Sequence, residues 1–112
     1  MQLKVAQSPS SFISDCIRGV ALLEDADDYI DRWHEGDTGQ TLHEFLGMTR
    51  QEYNAYLLDD SALAFIVKAH REQVPFKQIA EQDYSYALAA RSQGGEKILQ
   101  LMQWLKQEGL LS

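Results

Sequence analysis

Two Thr-x-x-Glu runs stand eight residues apart with one glycine between them, and this pattern restricts the fold more tightly than anything else in the chain. Thr41-Leu42-His43-Glu44 and Thr49-Arg50-Gln51-Glu52 each fit the capping box. In that motif the threonine side chain takes an orphan N–H of the first helical turn, and the glutamate reaches back to the threonine N–H. Gly47 stands where a left-handed residue closes a helix, and Met48 is placed to staple onto Tyr53 across the next helix start. The pattern predicts two short helices joined by a tight Gly-Met-Thr turn over 41–58, a helix-turn-helix-like hairpin.

Helical periodicity continues on both sides. Ser8-Pro9 reads as a cap and first turn, because proline suits the first helical positions. It leads into a stripe of Phe12, Ile13, Cys16, Ile17 and Val20. Tyr29, Ile30 and Trp33 give a short helix over 26–34 with an acidic outer face, and Glu35-Gly36-Asp37-Thr38-Gly39 gives a turn. Ser61 is placed to cap a helix through Leu63, Ile66, Val67 and His70. Val74-Pro75-Phe76 opens a shorter helix carrying Ile79 and Ala80. Residues 83–91 form another, with Tyr84, Ala87 and Leu88 inward, broken by Gln93-Gly94-Gly95. The last helix, 96–108, has a stripe of Ile98, Leu101, Met102 and Leu105 and ends in a Gly109-Leu110 cap. Only Leu3 to Ala6 has any strand character. The expectation is an all-α bundle of six or seven short helices.

A chain of 112 residues implies one domain over 1–112, long enough to bury a core without disulfide or metal staples. Acids number 17 against 10 basic residues, a net charge of −7. The imbalance lies in residues 1–56, where Lys4, Arg18, Arg32 and Arg50 face ten acids. Such a balance disfavours attraction to phosphate backbones and anionic lipid. Cys16 is the sole cysteine, so no internal disulfide can form and a reducing compartment is implied. No apolar run approaches the roughly 20 residues of a bilayer span. Met-Gln-Leu-Lys-Val-Ala-Gln also lacks the apolar core of a signal peptide. The expectation is a cytoplasmic protein without membrane contact.

Catalytic and metal chemistry find little support. His34, His43 and His70 lack ligand spacing. Asp25, Asp27, Asp31 and Glu35 lack the glycine and terminal glutamate of a calcium loop, and a helix would splay them. Cys16 lies within an apolar stripe, where a packed thiol is unreactive. No nucleophile elbow or phosphate-cradling glycine loop occurs. The expectation is a protein without catalytic residues, metal or cofactor. A DNA-binding regulator, dimeric, would use 49–58 as recognition helix and present Arg50, Gln51 and Asn54 to base edges. The surrounding Glu44, Glu52, Asp59 and Asp60 oppose phosphate contact, so this is the alternative.

Residues 26–35, Ala-Asp-Asp-Tyr-Ile-Asp-Arg-Trp-His-Glu, and 42–53, Leu-His-Glu-Phe-Leu-Gly-Met-Thr-Arg-Gln-Glu-Tyr, resemble a group of short bacterial proteins. That group shares an Asp-Asp-Tyr/Phe-x-Asp-x-Trp-His stretch followed by Leu-His-Glu-Tyr/Phe-Leu-Gly-Met-Thr-x-x-Glu-Tyr. The resemblance covers at most residues 26–67 and brings no catalytic residue. It implies a bacterial origin and an antitoxin-like or regulatory partner protein. Together with the acidity, it points to a protein-interaction module that meets a basic partner surface through Asp27, Asp28, Asp31, Trp33, Glu35, Tyr56 and Trp104. Trp104 is singled out because it lies off the apolar stripe of the last helix. Self-association stays open.

Overall fold

A computed structural model describes residues 11–36, 39–91 and 95–110. Among them helices are the sole regular structure and no strand occurs, so the all-α expectation holds. The readings placed on Leu3–Ala6, Ser8-Pro9, Asp37-Thr38, Gln93-Gly94 and Leu111 lie outside the described residues. The described helices divide into two compact units, one ending at Gly47 and one beginning at Met48.

The first unit contains α1 (Phe12–Ile17), a 3₁₀ turn at Leu23–Asp25, α2 (Ala26–Glu35) and α3 (Leu42–Leu46). Ser11 caps α1, its hydroxyl accepting the Ser14 N–H at 3.1 Å. Phe12 and Ile13 are fully buried, but Ile17 is 37% and Val20 66% exposed. The predicted stripe therefore ends early. The helix closes at Arg18, and the N–H groups of Val20 and Ala21 both fold back onto the Asp15 carbonyl. Val20 thus lies beyond the helix and off its buried face. Tyr29 of α2 meets Phe12 with ring centroids 4.9 Å apart. Together with Ala21, Ala26 and Leu46 these residues form the unit's core.

Both capping boxes are present as predicted. Thr41 and Glu44 exchange hydrogen bonds at the start of α3, as Thr49 and Glu52 do at the start of α4 (Arg50–Leu58). Gly47 closes α3 at φ +89°. In the second unit, α4 leads to α5 (Ala62–Glu72). Ser61 stands at the cap position of α5, but its hydroxyl does not take a helical N–H. It donates to Asp59 instead, at 2.6 Å, and Asp59 also accepts the Ser61 N–H at 3.3 Å. The adjacent carboxylate is the stronger acceptor, so it organises this turn.

Phe76–Ile79 (α6) and Ser85–Ala90 (α7) are one continuous helix through a π turn at Ala80–Tyr84. The eight α-helical segments among the described residues thus make seven helices. The apolar positions explain the wide turn. Phe76, Ala80, Tyr84 and Leu88 are all buried and recur every fourth residue. In a 3.6-residue helix such a series drifts by about 40° per step, and an extra residue in one turn takes up the drift. The Ser85 hydroxyl bonds the Glu81 carbonyl at 2.7 Å within this stretch. Tyr84 packs against Phe65 and Phe76, with ring centroids at 5.1 and 6.3 Å.

Helix α8 (Glu96–Gln107) ends in a full Schellman closure, with Gly109 N–H on the Lys106 carbonyl and Leu110 N–H on that of Leu105. Both leucines are buried. Helix α5 closes in the same way, but its left-handed residue is Gln73 at φ +59°. A side chain pays a steric penalty in that conformation that glycine does not. Gln73→Gly is accordingly expected to raise stability by roughly 0.5–1 kcal/mol, read as a higher denaturant midpoint at unchanged slope; a lower midpoint would contradict it.

Candidate interaction surface

Helix α2 presents the acidic face. Asp27, Asp28, Asp31 and Glu35 are all exposed. Asp27, Asp31 and Glu35 recur every fourth residue, which aligns them in one row. Asp27 and Asp28 lie in the first turn, where the helix dipole favours negative charge. The guanidinium of Arg32 stacks 4.5 Å from the centroid of the Tyr29 ring. Beneath it, the Tyr29 hydroxyl donates to the Asp15 carboxylate at 2.5 Å, and Arg18 donates to the same group at 2.8 Å. The bond to Asp15, then burial, hold the phenol above its ordinary pKa despite Arg32. Asp15 is a buried carboxylate that ties α1 to α2 through Tyr29.

Trp33 is half-buried and fixed, its indole N–H donating to the Gln40 carbonyl at 2.9 Å. Directly before α2, Val20, Leu22 and Leu23 expose their side chains. An apolar strip thus precedes the row of carboxylates along the chain. Cys16 is partly covered, and its thiol is pushed up by burial and then by Asp15 and Asp25, which disfavours a reactive thiolate.

The other two predicted anchors belong to the second unit. Tyr56 is half-buried beside Tyr53, ring centroids 6.5 Å apart. Trp104 is not displayed on α8 but half-buried, lining a pocket of about 310 Å³ with Leu58, Asp59, Arg91, Ile98, Gln100 and Leu101. Of the seven residues, five stand on α2 and two on the second unit.

The residues of the DNA-binding alternative are placed on α4. Arg50 is exposed and Asn54 half-buried. The Gln51 amide is already engaged, donating to the Glu108 carbonyl at 2.9 Å past the end of α8. Its use at a base edge would break that tie.

Two carboxylates of the second unit have roles that local sequence does not show. Glu52 is 4% exposed. It takes the Thr49 N–H at 2.8 Å and faces His70 Nε2 at 2.8 and 3.0 Å. The bond to Glu52 raises the His70 pKa, outweighing partial burial. Asp59 Oδ2 gathers the Ser61 hydroxyl, the Tyr84 hydroxyl at 2.7 Å and an Arg91 N–H at 3.0 Å. Burial would raise its pKa, but these bonds together hold it below the ordinary value. Tyr84 is displaced upward by burial first and by its bond to Asp59 second.

Among the described residues no three His, Cys, Asp or Glu side chains converge in a metal-binding group, and no helix is long and apolar enough to cross a membrane. No family model, curated protein or solved structure matches the chain.

Proposed function

We propose that the chain is a non-catalytic protein-interaction module of the bacterial cytoplasm, of antitoxin, immunity or regulatory type, whose acidic α2 meets a basic partner surface. The observation that carries this is the exposed row of Asp27, Asp31 and Glu35, with Asp28 beside it, following the exposed Val20, Leu22 and Leu23. Complementary charge speeds encounter and discriminates against wrong partners, and a desolvated apolar strip supplies durable contact. Carboxylates in a row can also occupy a cleft built for phosphates, which suits masking of a nucleic-acid-binding partner.

The test begins with the chain as bait in a bacterial lysate and continues with the purified partner. Affinity should fall as salt is raised, since exposed charges are screened over about 10 Å at 0.1 M ionic strength. The combined Asp27→Asn, Asp28→Asn, Asp31→Asn variant should lose about tenfold or more. Affinity indifferent to both salt and neutralisation would sink the proposal.

A further inference from the structure

The pocket beside Trp104 combines apolar walls with one organised polar end. Leu58, Ile98, Leu101 and Trp104 supply the apolar lining and Asp59, Arg91 and Gln100 the polar lining, with Asp59 and Arg91 joined by a hydrogen bond of 3.0 Å. Its volume of about 310 Å³ is about twice that of the roughly 150 Å³ cavity that takes one benzene. It falls at the lower end of the usual range for small-ligand sites. The walls therefore match a flat apolar body of about two rings, which can lie against the indole.

The polar end has a defined sign. Asp59 Oδ2 already accepts from Ser61, Tyr84 and Arg91. Arg91 uses one N–H on Asp59, and its side chain is 43% exposed, so its remaining donors are open to an added acceptor. Guanidinium donors beside a saturated carboxylate call for an acceptor, best a carboxylate that can take two parallel bonds. Asp59 acts as the positioning residue, holding the guanidinium against the pocket. The repulsion that a net charge of −7 would exert on an anion is centred elsewhere: residues 48–112 carry seven basic residues against eight acids.

From this juxtaposition we infer that the second unit binds a small aromatic carboxylate, its rings against Trp104 and its carboxylate on Arg91. This goes beyond the protein-interaction function and does not depend on it. Three isosteric probes test it on the full chain by titration calorimetry and by the indole N–H resonances: 2-naphthoate, 2-naphthylmethanol and 2-naphthylmethylamine. The acid is expected to bind saturably, about tenfold or more tighter than the alcohol, with the amine weakest. The Trp104 indole signal should move and that of Trp33 should not. Arg91→Gln should bring the acid down to the level of the alcohol and leave the alcohol unchanged. Should that variant fail to fold, the order of the three probes on the unaltered chain decides. An absent Trp104 response at millimolar acid, or any order other than acid, alcohol, amine, overturns the assignment.

Discussion

Replacing Gly47 by alanine is expected to destabilise the protein by about 3 kcal/mol, among the largest effects of any single methyl group added to this chain. Two penalties coincide. The residue sits at φ +89°, where a side chain costs roughly 1–2 kcal/mol. A β-carbon there would also stand 2.7 Å from Ser11 Cβ and overlap the Ser11 hydroxyl. That hydroxyl caps α1, and losing a cap costs about 1 kcal/mol. Gly39→Ala is the control. It has φ +73° with nothing within 4 Å of the added carbon, so it pays the backbone penalty alone, about 1 kcal/mol. Equilibrium unfolding in urea should separate the two substitutions by about 2 kcal/mol; equal losses would show that Ser11 takes no part.

The second large effect is expected at Glu52. Truncation to alanine removes the acceptor of the Thr49 N–H and the partner of His70 from a site only 4% exposed. The cost should be about 3 kcal/mol, most of it from buried polar groups left without partners. Glu52→Gln keeps a carbonyl for Thr49 and should cost less. The pH dependence identifies the mechanism. Glu52 raises the His70 pKa above the ordinary 6.5. The corresponding stability is fully present below pH 6.5 and is lost as pH rises through the folded-state pKa. Stability should therefore decline from mildly acidic to alkaline pH in the parent chain, and the decline should flatten in Glu52→Gln. A parent curve that rises over the same window would refute the ionic role of the pair.

What the sequence discloses here is what neighbouring residues decide. Thr41 with Glu44, Thr49 with Glu52, Gly47, and Gly109 with Leu110 are legible because caps operate over three to six positions. The stripe from Phe12 to Val20 misleads because periodicity does not show that the chain turns back onto the Asp15 carbonyl. The carboxylates with distant partners are hidden for a different reason: Asp15 meets Tyr29 14 positions away, Glu52 meets His70 18 away, and Asp59 meets Tyr84 and Arg91 25 and 32 away. Each looks in sequence like a solvated or capping acid. The acidic row on α2 was readable because exposure is the ordinary state of such residues. The pocket was not, because α4, α7 and α8 each contribute only a residue or a few to it, and Trp104, off its own helix's stripe, looks free until Leu58 and Leu101 are placed beside it.

The π turn at Ala80–Tyr84 bears on how this chain can change in length. It holds one residue more than an α-helical turn would use, and the wider turn keeps the buried faces on either side of it in line. Excising one residue from the turn would restore a regular helix in which the buried positions follow one another at four, three and four residues, a spacing that stays on one face. Tyr84, Leu88 and Arg91 would keep their sides of the helix. Substitution or deletion of exposed Gln82 is therefore expected to be tolerated, whereas deletion of one residue from the regular turns after it would rotate the rest of the helix by about 100°. In related chains the residue count between Pro75 and Tyr84 can differ by one, whereas the count between Tyr84 and Arg91 should hold steady.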